Sequence, residues 1–514
     1  MYRYTTAIIM MIMLMHCNRT DFCYSPLNLF IASKMFEQVF DELAKRFGFD
    51  KELFCVIQLG IAFMLVFVGF DAQAFIAENA LHSIAFLHPG RINNNAGYYG
   101  MAITYLSFTL MTLVTPIIVN KIGAKWSMFA ASLVYSLFML LFILVNNYLY
   151  YVMSSLMGAA AACMFTCTLF VNSLILWNGH GVYIKQITST GNVSRNIGLH
   201  WSINFLSSVF GGLIMLIILN KTKTMKYLTM EVIGYIFYGL AITTVMSNIL
   251  FFFLPNYSVN KFQLSRNFLK NLEKTFSLLL DRRMWLLAIC FLYLGFLLGF
   301  YLSILPSSML FSKFIVGYGN EIVAYYAIVL GSGEIIAGLF VSYMSKRIEG
   351  FGFMPTMLLA IPLHSCAYLG VLLTFPSDAN FHPTTSTTNA EMKLYSANFS
   401  LSCWLIISFL LAVGDSFWNT IRTTVITHLY QNNSSQAFAL SKFFQVMYLS
   451  KDSLATSSIL FGSDLVTLHW QILLLASFLI FASISFSILW RINKDDFIAP
   501  KMEVAVITAE VKIT

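Results

Sequence analysis

Stretches of about twenty apolar residues recur along this chain, each bounded by short polar or charged turns. They lie near 54–76, 98–119, 126–146, 149–173, 198–219 and 232–254. After a charged break they resume near 284–305, 322–342, 353–374, 402–424, 437–459 and 467–490. A hydrocarbon layer about 30 Å thick takes roughly 20 apolar residues to cross as a helix. Such a segment must satisfy its backbone N–H and C=O groups internally, which a helix does. Twelve crossings predict an all-α membrane protein with twelve transmembrane helices in two six-helix halves. Composition agrees, because 58% of the 514 residues are hydrophobic and only 11% are charged. A soluble domain carries about 25% charged residues to cover its surface. The expected division is a cytosolic N-terminal segment 1–53, a first bundle 54–254 and a basic cytosolic linker 255–283. A second bundle 284–490 and a cytosolic tail 491–514 complete it.

Orientation follows from the lysines and arginines, which collect on the cytosolic side of multi-pass proteins. With the N-terminus in the cytosol, 22 of the 31 fall in cytosolic tails and loops and six on the opposite side. Both ends are therefore expected in the cytosol of a multi-pass protein in the plasma membrane or an endomembrane. The apolar run AIIMMIMLM at 7–15 is shorter than a span and lacks a small-residue cleavage site after it, so it reads as cytosolic or interfacial. The linker carries Lys261, Arg266, Lys270, Lys274, Arg282 and Arg283, spaced like the polar face of a helix lying on anionic headgroups. The segment 375–401 is polar and rich in Thr and Ser, and falls outside the cell in this topology. Of the Asn-x-Ser/Thr sequences, only Asn220 and Asn398 are placed to receive a glycan.

Several functions are excluded at this level. The basic residues are scattered through short loops without stacking aromatics, so nucleic acid is not a partner. The eight cysteines show no CxxC pair and no metal spacing, and no catalytic residues, metal or cofactor are expected. Cys163 and Cys167 share a helix face and read as packing residues. No nucleophile–base pair or phosphate loop stands out, which argues against an enzyme.

The informative residues are the charges inside the spans: Asp71, Glu334, Asp415, Arg422, Lys442, Lys451 and Asp452. A charge at the middle of a membrane helix costs on the order of 2.5–3.5 kcal/mol and needs a partner or a cavity. In LLAVGDSFWNTIRTTVI (410–426), Asp415, Trp418, Asn419 and Arg422 fall at i, i+3, i+4 and i+7, one face of a helix. That stripe is expected to line the interior as a hydrogen-bonded network, with Arg422 near enough to the cytosolic end to reach outward. Glu334 sits in LGSGEIIAGLF, where Gly331, Gly333 and Gly338 would admit a neighbouring helix. It reads either as a coupling carboxylate in a cavity or as a structural one satisfied across that contact. Lys451 and Asp452 are adjacent and cannot share a helix face.

The six-plus-six pattern resembles the major facilitator superfamily, whose two halves surround a central cavity. Its turn after the second helix has a Gly-x-x-x-Asp-Arg-x-Gly-Arg-Lys pattern. PIIVNKIGAK (116–125) keeps Lys121, Gly123 and Lys125 but has Pro116 for the leading glycine and Asn120 at the acidic position. The equivalent turn near 345–352 keeps the basic pair Lys346 and Arg347. Within that superfamily, GDSFWNT (414–420) resembles the Gly-Asp-Ala-Val-Trp-Asn-Thr motif in the tenth helix of the uncoordinated-ninety-three family. The stretches 96–125, 156–171 and 191–214 are similar to that family's second, fourth and fifth helices. The chain departs from the family at Ile421, Arg422 and Asp71. The resemblance implies a regulatory or trafficking partner of another membrane protein, a potassium-channel subunit or a receptor cargo. A secondary transporter of a small organic or cationic solute is the alternative, and the altered turn at Pro116 and Asn120 leans toward the partner.

Overall fold

A computed structural model describes residues 51–122, 124–169, 203–220, 227–255, 277–313, 317–344, 351–380, 401–430 and 466–494, with a few positions between them. The described residues are helical apart from turns. The first half contains α1 Lys51–Leu87, α2 Ala96–Ile122, α3 Ala124–Leu141, α4 Asn147–Leu169, α5 Leu206–Leu219 and α6 Met230–Phe252. The second contains α7 Arg282–Phe311, α8 Ile322–Met344, α9 Met354–Thr374, α10 Leu401–Leu429 and α11 Leu468–Ile492. Eleven of the twelve expected segments are thus helices. Of the remaining one, 437–459, the described residues Ala437, Leu440, Ser441 and 443–445 are helical. The run 7–15, most of the basic linker, most of 375–401, and Lys442, Lys451 and Asp452 lie outside the described residues.

Two helices run past the ends expected from hydropathy. α1 continues to Leu87 and carries Glu78, Asn79 and His82 with it. Glu78, His82 and Ser83 each find a partner in a neighbouring segment. Glu78 Oε2 accepts from the backbone N–H of Tyr98 at 2.9 Å and from that of Gly97, two donors left over at the start of α2. Gly97 is required for that approach, since a Cβ there would lie 2.6 Å from Glu78 Cα. Ser83 Oγ accepts from the Leu228 N–H at 3.1 Å, and a His82 ring nitrogen lies 3.3 Å from the Asn94 carbonyl. α7 likewise continues to Phe311 through a π-helical turn at Phe300–Ile304. That turn carries an extra residue and re-aims the side chains beyond it.

Helices in lipid gain little from hydrophobic burial against each other, so small residues and polar contacts decide which pairs pack. Gly158 of α4 lies so close to α2 that a Cβ would sit 2.0 Å from the Thr104 carbonyl, and Ser107 Oγ donates to the Ser155 carbonyl at 2.6 Å. α6 packs on α1 through Ser247 Oγ on the Ala62 carbonyl (2.7 Å) and Gln58 Nε2 on the Leu250 carbonyl (3.1 Å). In the second half, Ser485 Oγ of α11 donates to the Leu286 carbonyl of α7 at 2.7 Å.

Among the described residues, two of the places where the halves meet show which groups touch. α5 packs on α8, where Gly212 faces the Ala324 backbone and Gly331 faces Ser208. Gly333 faces α10 at Ala412 and Phe409, whereas a Cβ on Gly338 would meet nothing within 4 Å among the described residues. The second meeting place is the end where α1 finishes and α2 starts. There Phe75 and Tyr326 rings lie 5.4 Å apart, and His82 and Phe311 rings 5.5 Å apart. Tyr98 Oη donates to the Asn380 carbonyl at 2.8 Å, joining positions 282 residues apart in a buried contact.

Candidate functional site

Three carboxylates converge on the middle of the bundle, one from each of α1, α8 and α10. Asp71 is held by α5, whose Ser207 Oγ donates to Oδ2 at 2.8 Å and Ser208 Oγ at 3.4 Å. α5 can come this close because Gly211 faces Val68 and Ala72 of α1. Ser208 also rests on Gly331, and Glu334 stands three residues further along the same face of α8. Glu334 is within electrostatic reach of both Asp415 and Asp71. Glu334 as a whole is 8% exposed. The close helix contacts at Gly331 and Gly333 position Glu334 between α5 and α10.

Tyr301, on the π-helical turn of α7, stands among these groups and feels the charges of Asp415, Glu334 and Asp71. Tyr105 of α2 is coupled to Asp71 and to Tyr301 in the same way. Neither tyrosine carries a sequence signal, since apolar spans are rich in aromatics and nothing local marks one as central.

The stripe on α10 resolves into separate contacts. Asn419 Nδ2 donates to Asp415 Oδ2 at 2.8 Å and to the Asp415 carbonyl at 3.1 Å, the one-turn contact its spacing predicts. Arg422 differs from expectation. Nη1 donates to Gln445 Oε1 at 2.6 Å, so the guanidinium is held by the next segment of the chain instead of reaching toward headgroups. It also feels the charge of Asp415, while its Nε has no hydrogen-bond partner among the described residues. Gln445 reaches this position because its backbone lies against Gly295 of α7, where a Cβ would stand 2.2 Å from the Gln445 carbonyl oxygen. Trp418 is 1% exposed and packs edge-on against Tyr293 of α7 at 5.3 Å.

Behind this stripe lies a buried polar chain that sequence reasoning missed. Tyr293 Oη meets His364 Nδ1 and, at 2.8 Å, Tyr368 Oη. His364 Nε2 lies 3.2 Å from the Leu411 carbonyl of α10. Gly414, first residue of the GDSFWNT motif, is the point of closest approach, for a Cβ there would lie 2.2 Å from His364 Nε2. The motif's glycine thus serves the α9–α10 contact, its Asp and Asn bond each other, and its Trp packs on α7. A lone His in an apolar run gave no hint of this, because both tyrosines are far from it or a turn away on its own helix. Among the described residues, no group of His, Cys, Asp and Glu could hold a metal ion. Of the glycan candidates, Asn220 is exposed at the C-terminal cap of α5, and Asn398 lies outside the described residues.

Comparison with known proteins agrees with this architecture. Residues 88–487 match a family model described as "Ion channel regulatory protein UNC-93". The chain is 27% identical over 459 residues to the UNC93-like protein MFSD11 of Xenopus tropicalis, covering 85% of this chain and 96% of that protein. It is 26% identical over 464 residues to the Xenopus laevis protein of the same name, with the same coverage. Among solved structures, the nucleoside transporter NupG superposes with a TM-score of 0.56 at 14% identity, over 85% of this chain and 99% of that one. A bacterial homologue of the human lysosomal transporter Spinster gives 0.54 at 11% identity, over 88% and 100%. At such identities the likeness speaks for the fold, which is that of the major facilitator transporters. With more than half its length matched, the chain belongs to the UNC-93 family.

Proposed function

We propose that this chain is a non-enzymatic regulatory or trafficking partner of another membrane protein, an ion channel in the first place and a potassium channel most specifically. Family membership supports a channel-regulating role, since that is how the matched family is described. The single observation that carries the reading is the state of the two turns that gate a transporter. The α2–α3 turn has Asn120 where the superfamily pattern has an acid. Its Lys125 is buried, 5.1 Å from the Trp126 ring and 5.9 Å from the Phe252 ring of α6. In the second half, Arg347 sits 4.3 Å over Tyr343 of its own segment. Such contacts contribute about 0.5–2 kcal/mol each and tie each cation to its own half. A receptor cargo is the related possibility.

The test is affinity purification in mild detergent with identification of co-purifying membrane proteins. A channel subunit recovered at a constant ratio supports the proposal. Recovery of no membrane partner, together with solute uptake in proteoliposomes, defeats it. Glu334 favours the second reading, a transporter of a small organic or cationic solute. A buried carboxyl group facing Asp71 across the two halves is suited to a cation. The expected orientation, with both ends cytosolic, predicts glycan on Asn398 first and otherwise only on Asn220. Glycan on Asn192 or Asn256 would reverse it.

A further inference from the structure

A small polar pocket lies between α1, α2 and α4, with one wall from α7. Its polar lining comprises Gln73, Thr104, Tyr150, Ser154 and Ser303. Gln73 is 5% exposed and its amide has no hydrogen-bond partner among the described residues. Ser303 is 7% exposed, and Ser154 is fully buried with its hydroxyl beside that of Tyr150. Thr104 Oγ1 donates to the Gly100 carbonyl and keeps its lone pairs for another group. Buried polar groups inside a membrane are costly unless something bonds them. The space left among them is about that of one water-sized particle, which excludes an organic solute.

The donor set narrows the occupant. The pocket walls offer oxygen atoms from an amide and hydroxyls, and no Lys, Arg or His lines them among the described residues. Hard oxygen donors without fixed positive charge suit a small hard cation and not an anion. A buried carboxyl group stands beside them. Glu78 abuts Gly97 in the pocket wall, its field reaches Tyr150, and its Oε1 has no hydrogen-bond partner among the described residues. Ser303 arrives from the opposite half on the π-helical turn, so an occupant would bond both halves at once. We propose that the Gln73–Ser154–Ser303 pocket binds one small monovalent cation of sodium size, which clamps α7 onto the first half.

The test uses the purified full-length chain and sodium itself, at constant ionic strength with choline chloride making up the difference. A ligand that binds only the folded state raises the melting temperature in a saturable way. The expected result is a saturable rise with Na⁺ and none with choline, lost in Gln73→Leu and weakened in Ser303→Ala. Should Gln73→Leu fail to fold, Ser303→Ala decides alone. No rise, an equal rise in choline, or an undiminished rise in Ser303→Ala would overturn the proposal and leave the pocket to water. None of these outcomes bears on whether a membrane partner co-purifies.

Discussion

At Asp415 two roles can be separated by chemistry, because its carboxylate bonds Asn419 while its charge offsets Arg422. Asp415→Asn keeps an acceptor for Asn419, and Arg422 keeps Gln445, so the change should cost under about 1 kcal/mol and leave surface abundance normal. Asp415→Leu strips Asn419 of its side-chain partner and leaves the Arg422 charge less compensated. A loss of about 1–3 kcal/mol is expected, read as a lower melting temperature and retention in the endoplasmic reticulum. If Asp415→Asn is abundant and folded yet devoid of function, the carboxylate carries a coupling charge and the transporter reading gains. Lys313, in the turn between α7 and α8, gives a pH test. Burial holds its ammonium down at about 8 against an ordinary 10.5, although Glu321 pulls the other way, and Nζ donates to Asn320 Oδ1. A lowered lysine value penalises the folded state while the lysine is charged. That penalty is full below pH 8 and vanishes as the pH rises toward 10.5. The difference amounts to about 3 kcal/mol at most, at about 1.4 kcal/mol per unit. Stability should climb over that window in the wild type, and Lys313→Met should flatten the climb in parallel melting curves.

For a helix, what matters is which face comes close to what, and two glycines make the contrast. Gly414 touches His364, so Gly414→Ala must push α9 away and should cost about 1–3 kcal/mol. Gly338 faces open space, and Gly338→Ala gains helix propensity of up to about 1 kcal/mol at no steric cost. Thermal melts of the two variants should move in opposite directions; equal shifts would mean that the α9–α10 contact is misjudged. The glycine spacing in LGSGEIIAGLF could not tell Gly338 from Gly331 and Gly333, because spacing names a face and not its neighbour. Helix existence was readable for a simpler reason, since each apolar run is long enough to span by itself. Helix ends were not. The polar residues Glu78 and His82 read as a stop, while the partners that let α1 continue come from α2 and the turn preceding it. The same distinction holds at the centre. Asp415 and Asn419 are one turn apart and were visible as a pair, whereas Asp71 and Ser207 are separated by 136 residues and became a pair only through packing. Arg422 had no local rival for Asp415, so nothing in the sequence pointed to Gln445.

Across the whole molecule, the two halves are fastened at the end where α1 meets α2, and Tyr98 is the fastening whose removal is cleanest. Glu78 holds the start of α2, which sets Tyr98; Tyr98 then crosses to the Asn380 carbonyl. Asn380 is itself tied by Nδ2 to the Val466 carbonyl at 3.3 Å, and the Leu468 N–H bonds the Ser377 carbonyl at 2.8 Å. The acceptor is therefore fixed in place by α11, and it cannot follow Tyr98 if the halves part. Tyr98→Phe removes one hydroxyl and strands a buried carbonyl, which costs about 1 kcal/mol or somewhat more in the closed arrangement alone. A shift of 1.4 kcal/mol is a tenfold change in an equilibrium between closed and parted halves. The ring contacts Phe75–Tyr326 and His82–Phe311 remain, so the variant should still fold. With a reporter Ser303→Cys in a background lacking the other cysteines, a membrane-impermeant thiol reagent should react several-fold faster in Tyr98→Phe than in the parent. The acceleration should appear only when the reagent is added from the side of the α1–α2 turn. Acceleration from the opposite side, or none from either, would mean that Tyr98 does not hold the halves together.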